Sequence, residues 1–166
     1  TTTLNDVAGV SVVKIVAVNE EGEILRIDIP EDLGLGTYDM LALSDGTKLI
    51  GLYNPASIGE NLTSNPGKIT ITRFNTFTGI IEATFNFTAT DPVGPDQTVA
   101  EITEGNFKVD YISSPGDTVT SFTATIDDEV FGPDSIVLCK NYLLSCSTAI
   151  LSPQMLTTIF QEILGL

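Results

Sequence analysis

Residues 67–111 alternate apolar and polar side chains, and this pattern constrains the fold more than any other stretch of the chain. The three runs that carry it are separated by residues typical of turns. They are Gly-Lys-Ile-Thr-Ile-Thr-Arg-Phe at 67–74, Gly-Ile-Ile-Glu-Ala-Thr-Phe-Asn-Phe-Thr-Ala-Thr at 79–90 and Thr-Val-Ala-Glu-Ile-Thr-Glu-Gly-Asn-Phe-Lys-Val-Asp-Tyr at 98–111. A period of two is typical of antiparallel strands that bury one face. The side chains predicted to face the core are Ile69, Ile71, Ile81, Ala83, Phe85, Phe87, Phe107, Val109 and Tyr111.

Two turns within this stretch, at residues 75–79 and at Glu104-Gly105, are predicted to form consecutive hairpins and so a meander. Residues 91–96, Asp-Pro-Val-Gly-Pro-Asp, are predicted to form the turn between them, because proline cannot donate to a strand ladder.

Two further hairpins are predicted before this stretch. Strands at 10–18 and 23–29 are joined through Asn19 to Gly22, and strands at 37–43 and 48–53 are joined across Ser44-Asp45-Gly46-Thr47. Asp-Gly is a strong hairpin signal. Residues 54–66 contain Pro, Gly, Asn and Ser at short intervals and are predicted to form a long surface loop.

The best candidate for a boundary is Ser113-Ser114-Pro115-Gly116-Asp117. It divides the chain into a β-domain core at 1–112, a Pro/Gly linker or turn at 113–118, and C-terminal strands plus a helix at 119–166. Strands are predicted at 119–126 and 136–144, with a return strand from Val130. Ser152 and Pro153 suit the N-cap and first position of an amphipathic helix at 153–164, which caps the core or docks on a partner. The strands complete the same sheet, or they are exchanged with a neighbouring subunit.

These elements predict an all-β, antiparallel fold, either a β-sandwich or a flattened barrel with meander connections and one short C-terminal helix. About nine to eleven short strands are expected in total. At 166 residues the chain is long enough for one domain with a real core.

The charge of the chain argues against anionic partners. The net charge is −15, and the seven basic residues are scattered singly along the sequence. Without a basic patch, nucleic acids and anionic membrane surfaces are repelled. The longest apolar run is too short to span a bilayer. Charged residues make up only 17% of the chain, so Thr, Ser, Asn and Gln must cover much of the surface, as on many extracellular β-proteins.

The absence of histidine removes the commonest general base and metal ligand, and with it Ser–His and Cys–His nucleophile systems. No phosphate loop, zinc spacing, nucleotide fingerprint or nucleophile elbow is present, so we predict no catalytic residues and no cofactor.

A calcium site and a disulfide bond are two weaker predictions, and each has an alternative interpretation. The acidic residues Asp127, Asp128, Glu129 and Asp134 furnish Ca²⁺ ligands or form a solvated turn. Cys139 and Cys146 form a disulfide if they lie on neighbouring strands of a tight hairpin, or they are two buried thiols.

The central block resembles a family of uncharacterised secreted lipoproteins from Bacteroidota. That family has a Gly-x-Ile-Thr-Ile-Thr strand, a Gly-Thr-Phe-x-Phe-Thr-Ala strand and an Ile-Thr-x-Gly-x-Phe hairpin, which correspond here to residues 67–72, 83–89 and 102–107, with Ala83 in place of the usual Gly. The resemblance implies export and anchoring at the cell surface, with no known activity. The lipidated Cys of such proteins is absent, so it was removed or the protein is not lipid-anchored. Thr1 to Thr3 show no signal peptide, so an exported protein is expected to be in its mature form.

The resemblance also implies an opening strand of the form Phe-Thr-Ala-x-x-Asp, yet here Phe122-Thr123-Ala124-Thr125-Ile126-Asp127 follows the domain that it should precede. A truncated second copy or a strand that completes a sheet left open near Val10 accounts for this.

Thr118 and Ser135 are predicted O-glycosylation sites. Each follows Asp and precedes an apolar residue, like sites that exported proteins of this bacterial group O-glycosylate.

The expected function is therefore that of a non-enzymatic extracellular module acting in adhesion or surface assembly, including as a strand-exchanging fibre subunit. The alternative is a lipocalin-like barrel with a small apolar ligand inside.

Overall fold

The computed structural model describes residues 12–40, 49–56, 61–75, 77–91, 99–110, 121–140 and 145–150, of which 138–140 and 145–150 are described by their backbone. All regular structure in this part of the chain is β-strand. The strands are β1 (Val12–Val18), β2 (Ile24–Pro30), β3 (Gly36–Met40), β4 (Ile50–Asn54), β5 (Leu62–Asn75), β6 (Ile80–Thr90), β7 (Val99–Asp110), β8 (Ser121–Ile126), β9 (Glu129–Phe131), β10 (Ser135–Lys140) and β11 (Ser145–Ile150).

The strands form one antiparallel sheet that curls into a half-barrel. Its order is β11-β10-β1-β2-β4-β5-β6-β7-β8-β9, and β3 pairs with β5 beside this path. β9 and β10 lie towards opposite ends of the path, yet only residues 132–134 connect them. Four Cα-to-Cα steps span at most about 14 Å, so the two ends of the sheet must approach one another. Because every described element is a β-strand of this antiparallel sheet, the predicted all-β fold class is confirmed.

One continuous cluster of buried side chains fills the inside of this curl. The described residues predicted to face the core between Ile69 and Val109 are at most 4% exposed. Phe122, Ala124 and Ile126 of β8 join the same cluster, as predicted. Aromatic rings form part of it, with centroid separations of 5.7 Å between Phe85 and Phe122 and 6.3 Å between Phe122 and Phe131.

The predicted hairpin between residues 37–43 and 48–53 is wrong. β3 pairs with β5, whereas β4 lies between β2 and β5. The Asp45-Gly46 signal lies outside the described residues. Ile50 and Tyr53 of β4 are buried at its position between β2 and β5. Burial of these side chains favours this pairing over a hairpin with β3.

The predicted surface loop at 54–66 is also wrong in its second half, because β5 already begins at Leu62. Thr63 and Ser64 are buried, and the Ser64 Oγ accepts a hydrogen bond from the Gly51 amide at 3.0 Å. Pro66 falls within a register shift between Ser64 and Gly67, where the strand ladder is already interrupted. A bulge is one of the few places where a sheet tolerates proline.

Glu104-Gly105 is not a hairpin turn, since β7 runs through it as a single strand. Glu104 has φ 51°, and the pairing of β7 with β6 shifts register between Phe85 and Phe87. An extra residue in this conformation makes a β-bulge, which bends a strand without reversing it. The predicted meander therefore contains one strand fewer in this region.

At the C-terminal end, the turn at Asp127-Asp128 and the short return strand are confirmed. β10 begins at Ser135. β11 was not predicted, because its residues Ser-Cys-Ser-Thr-Ala-Ile show little strand-like alternation. The predicted helix at 153–164 lies outside the described residues.

Tyr53 ties β4 to the turn between β1 and β2. Its hydroxyl donates to Glu23 Oε1 at 2.7 Å, and Asn19 Nδ2 donates to Glu23 Oε2 at 2.8 Å. Burial, followed by this hydrogen bond and the nearby Glu23 charge, raises the pKa of Tyr53 well above its usual value.

We expect Tyr53→Phe to lower the free energy of unfolding by about 1 kcal/mol at pH 8, because the partly buried hydrogen bond to Glu23 is lost. The folded-state pKa is raised, so the stabilisation is complete below about pH 10, the unfolded value, and is lost as the pH rises beyond it. The difference between wild type and variant should therefore shrink from pH 10 to 11. Urea unfolding at pH 8, 10 and 11 measures it, and a difference that stays constant would contradict the raised pKa.

Candidate functional site

Three neighbouring register shifts shape the middle of the sheet. The β5–β6 pairing shifts between Ser64 and Gly67, where β5 has one extra residue. The β6–β7 and β7–β8 pairings both shift around Glu104, where β7 has one extra residue. Bulges increase local bending and twist. The two bulges lie on either side of β6 and therefore bend the sheet along one line.

Two glycines on this line have a phenylalanine side chain where their own would stand. Gly67 pairs with Phe87, and Gly105 pairs with Phe85. A Cβ added at Gly67 would lie 2.4 Å from the Phe87 Cβ, and one at Gly105 would lie 2.4 Å from the Phe85 ring. The motifs at 67–72, 83–89 and 102–107 thus meet at the bend, and their Gly and Phe residues have a packing role there.

The outer side of the bend carries two adjoining depressions of about 450 and 330 Å³. Lys68, Asn86 and Glu104 line both of them. The larger one extends towards Asp39 and Glu101, and the smaller one extends towards a row of hydroxyl and amide side chains. We call these two depressions together the outer groove.

A polar ladder crosses five strands, and four of its five residues line the smaller depression. It is formed by register partners on β3, β5, β6, β7 and β8. The Thr37 and Thr70 hydroxyls are 2.9 Å apart, and Asn106 Nδ2 donates to Thr123 Oγ1. The ladder consists of Thr37, Thr70, Thr84, Asn106 and Thr123.

Paired charges flank this ladder. Lys68 Nζ lies 2.7 Å from Asp39 Oδ1, and Glu82 Oε1 lies 3.1 Å from Lys108 Nζ and 3.3 Å from Arg73 Nη1. The hydrogen bond from Lys108 is the main cause that lowers the pKa of Glu82, with Arg73 contributing in the same direction. Glu82 is therefore an ionised pairing partner and is poorly suited to act as a general acid.

A second charged cluster lies on the outer side of β1 and β2. Arg26 Nε donates to Asp28 Oδ1 at 2.6 Å, and Asp28 is buried. Burial, and then the Arg26 charge, lower the pKa of the neighbouring Lys14, although Asp28 opposes this change. Lys14, Tyr53 and Glu82, whose pKa values are shifted, line neither depression of the outer groove.

Most side chains that line the outer groove are polar or charged and suit contact with a polar surface or polar ligand, although the lining also includes Pro66, Phe85, Phe87 and Ile102. In the part of the chain that the structure describes, no three or more Cys, Asp or Glu side chains are placed to hold a metal ion. The described residues also include no helix of the length and hydropathy needed to cross a bilayer.

The acidic calcium candidates lie in the β8–β9 turn, at the start of β9 and in the link that follows β9. Asp127 and Asp128 have positive φ values of 48° and 68°, as a tight hairpin turn requires. Asp127 Oδ1 accepts a hydrogen bond from the Glu101 amide at 2.8 Å. Glu129 opens β9, whereas Asp134 lies beyond it and donates its amide to the Val18 carbonyl at 2.8 Å.

The other predicted sites differ in what the structure describes. Thr118 lies outside the described residues. Ser135 is 4% exposed at the start of β10, and this disfavours a glycan on its hydroxyl in the folded chain. The backbone register places Cys139 directly opposite Cys146 on β10 and β11.

Seven inward-facing side chains would line the ligand cavity of a lipocalin-like barrel, and in this structure they pack together. All seven belong to the buried cluster and are at most 3% exposed. Two of the seven, Phe85 and Phe87, are also among the residues that line the outer groove. The seven residues are Leu25, Ile27, Ile71, Phe85, Phe87, Phe107 and Val109.

Sequence reasoning did not find the outer groove, because it depends on the bulges at Gly67 and Glu104. The adjacent outward threonines of β5 and β6 were visible as alternation, but their alignment with β3 and β8 was not. Comparison with protein-family models, with curated proteins and with solved structures finds no match to this chain.

Proposed function

We propose that this protein is a non-enzymatic, extracellular β-module that acts in adhesion or surface assembly, and that its subunits associate by exchanging the C-terminal strands. One observation carries the proposal. Residues 121–140 supply β8 to one end of the sheet and β10 to the other. We call residues 121–140 the closing segment.

The closing segment completes both the strand ladder and the core. β8 pairs with β7, and β10 pairs with β1. Phe122, Phe131 and Ile136 contribute buried apolar side chains. Without this segment, β7 and β1 would each present an unpaired edge, the kind of edge to which a strand from another chain adds.

The connection that precedes the closing segment is long for neighbouring antiparallel strands. β7 ends at Asp110 and β8 begins at Ser121, whereas a hairpin loop commonly has two to five residues. A fully extended connection reaches about 35 Å, enough to deliver the closing segment to an adjacent subunit. Exchange of an identical element requires no new contacts, and a head-to-tail arrangement that does not close produces a fibre.

The outer face and the composition support an adhesive role. Except for Thr123 on β8, the residues of the polar ladder and outer groove lie outside the closing segment, and the β8 of a neighbouring chain would supply Thr123 at the same register position. The low charged fraction and the resemblance to secreted lipoproteins favour the extracellular location.

Cysteine pairing between two chains tests the exchange. Thr103 on β7 and Thr125 on β8 are register partners, at a spacing that a disulfide spans. In a Cys139→Ser, Cys146→Ser background, Thr103→Cys chains are unfolded and refolded at high concentration with Thr125→Cys chains. We expect a disulfide-linked heterodimer on a non-reducing gel, because each chain carries one half of the pair.

Two controls make the result specific. Thr84→Cys replaces Thr103→Cys in the first, because Thr84 pairs with β5 and β7 and not with β8. A single chain that carries both Thr103→Cys and Thr125→Cys should form an internal disulfide when dilute. If that internal bond forms but heterodimers do not exceed the Thr84→Cys level at any concentration, strand exchange is wrong.

A further inference from the structure

We propose that Cys139 and Cys146 form a disulfide bond that fastens β10 to β11. The inference rests on backbone register, which pairs the Cα positions of Cys139 and Cys146 directly across the two strands. It does not depend on the proposed function, since β10 and β11 belong to one hairpin whether that hairpin closes its own sheet or that of a neighbour.

The spacing of opposed positions in an antiparallel pair suits this bond. Such Cα atoms are about 5.5 Å apart in a hydrogen-bonded pair and about 4.5 Å apart in the other class of pair. Two cysteines joined by a disulfide usually have their Cα atoms about 4.4 to 6.8 Å apart. The Cα separations of both classes of pair fall within this range. The register alone therefore brings the two residues within bonding distance. Slipping the strands by one residue would remove this opposition and turn every side chain to the other face.

The hairpin lies where a covalent connection matters most for the sheet. β10 pairs with β1 on its other side, through a register that extends from Val13–Lys140 to Val18–Ser135. Among the described strands, β11 pairs with β10 alone and so forms an end of the sheet. Residues at such an edge open more readily than those of central strands. A bond across the hairpin holds the edge strand in register with the strand that joins β1.

The oxidant for this step is a small-molecule disulfide, such as oxidised glutathione. One cysteine thiolate attacks a sulfur of that disulfide, which forms a mixed disulfide and releases one small thiol. The second cysteine thiolate then attacks the protein sulfur of the mixed disulfide and releases the second small thiol. The protein loses two protons and two electrons, and one small disulfide is reduced to two thiols.

The full-length wild-type chain, equilibrated with oxidised and reduced glutathione, provides the direct test. The sample is quenched with acid, unfolded, treated with N-ethylmaleimide and weighed as an intact protein. We expect a monomer without N-ethylmaleimide adducts, and one that gains two adducts after prior reduction. Peptide mapping should recover residues 139 and 146 in one linked fragment. Two adducts without prior reduction, or linkage only between chains, would overturn the proposal.

Hydrogen exchange adds a readout that the bond alone should move. We expect amides of residues 145–150 to exchange more slowly in the oxidised wild type than in the reduced protein. Cys139→Ser, Cys146→Ser is the matched control, because its exchange should not respond to reductant. If the oxidised and reduced wild type exchange equally at these amides, the bond does not fasten this edge.

Discussion

Phe122→Ala is expected to lower the free energy of unfolding by about 4 kcal/mol, the usual cost of removing a buried aromatic side chain. The Phe122 ring lies 5.7 Å from the ring of Phe85 and 6.3 Å from those of Phe107 and Phe131, measured between centroids. Its loss leaves a cavity between the closing segment and the strands beside the bend. Urea unfolding followed by circular dichroism measures the change.

Phe77→Ala is the matched control, because it makes the same chemical change at a side chain that is 96% exposed. Phe77 lies in the turn between β5 and β6, where its amide donates to Asn75 Oδ1 and does not need the ring. We expect its effect to stay within about 0.5 kcal/mol. Equal effects of the two substitutions would show that β8 is not packed in the core as described.

The second large effect is expected from Gly67→Ala, at about 3 kcal/mol, near the upper end of the usual cost of overpacking. The new methyl group would lie 2.4 Å from the Phe87 Cβ and 3.2 Å from both the Asn86 carbonyl oxygen and the Met40 Cβ. None of these atoms is the free end of a flexible side chain. Relief therefore requires the backbones of β5 and β6 to separate at the bend. Thermal and urea unfolding both report the loss.

Gly132→Ala is the control for this substitution. A Cβ at Gly132 would meet no heavy atom within 4 Å. We expect the free energy of unfolding to stay within about 0.5 kcal/mol of the wild type. A Gly67→Ala variant as stable as Gly132→Ala would mean that Phe87 does not lie against Gly67.

In β5, β6, the second half of β7 and β8, local patterns predicted which face is buried, because burial of one face imposes a period of two. Phe85 and Phe87, or Phe122 and Ile126, could be assigned to the core without knowing the neighbouring strands. Pairing depends instead on contacts between distant residues. The sequence around Asp45-Gly46 favours a hairpin, yet β4 pairs with β2 and β5.

The outer groove was beyond prediction for a related reason. Glu104-Gly105 is compatible with a turn or with a bulge, and only the partner strands decide between them. β6 pairs with β7 on both sides of a single register shift at Glu104-Gly105, which selects the bulge. Cys139 and Cys146 show the opposite case, since the sequence posed the question of a disulfide and the register of β10 with β11 now favours one answer.

The pairing of β1 with β10 also determines when this molecule can fold. Val13 on β1 pairs with Lys140 on β10, near the other end of the described chain. The hydrogen bonds between β1 and β10 therefore cannot form until β10 has been synthesised. Such non-local contacts slow folding, because the loop they close costs entropy before any contact repays it. During synthesis the edges of β1 and β7 remain unpaired until the closing segment has left the ribosome. The chain is therefore most vulnerable to misassociation late in its synthesis, and a helper that covers these edges would act in that interval.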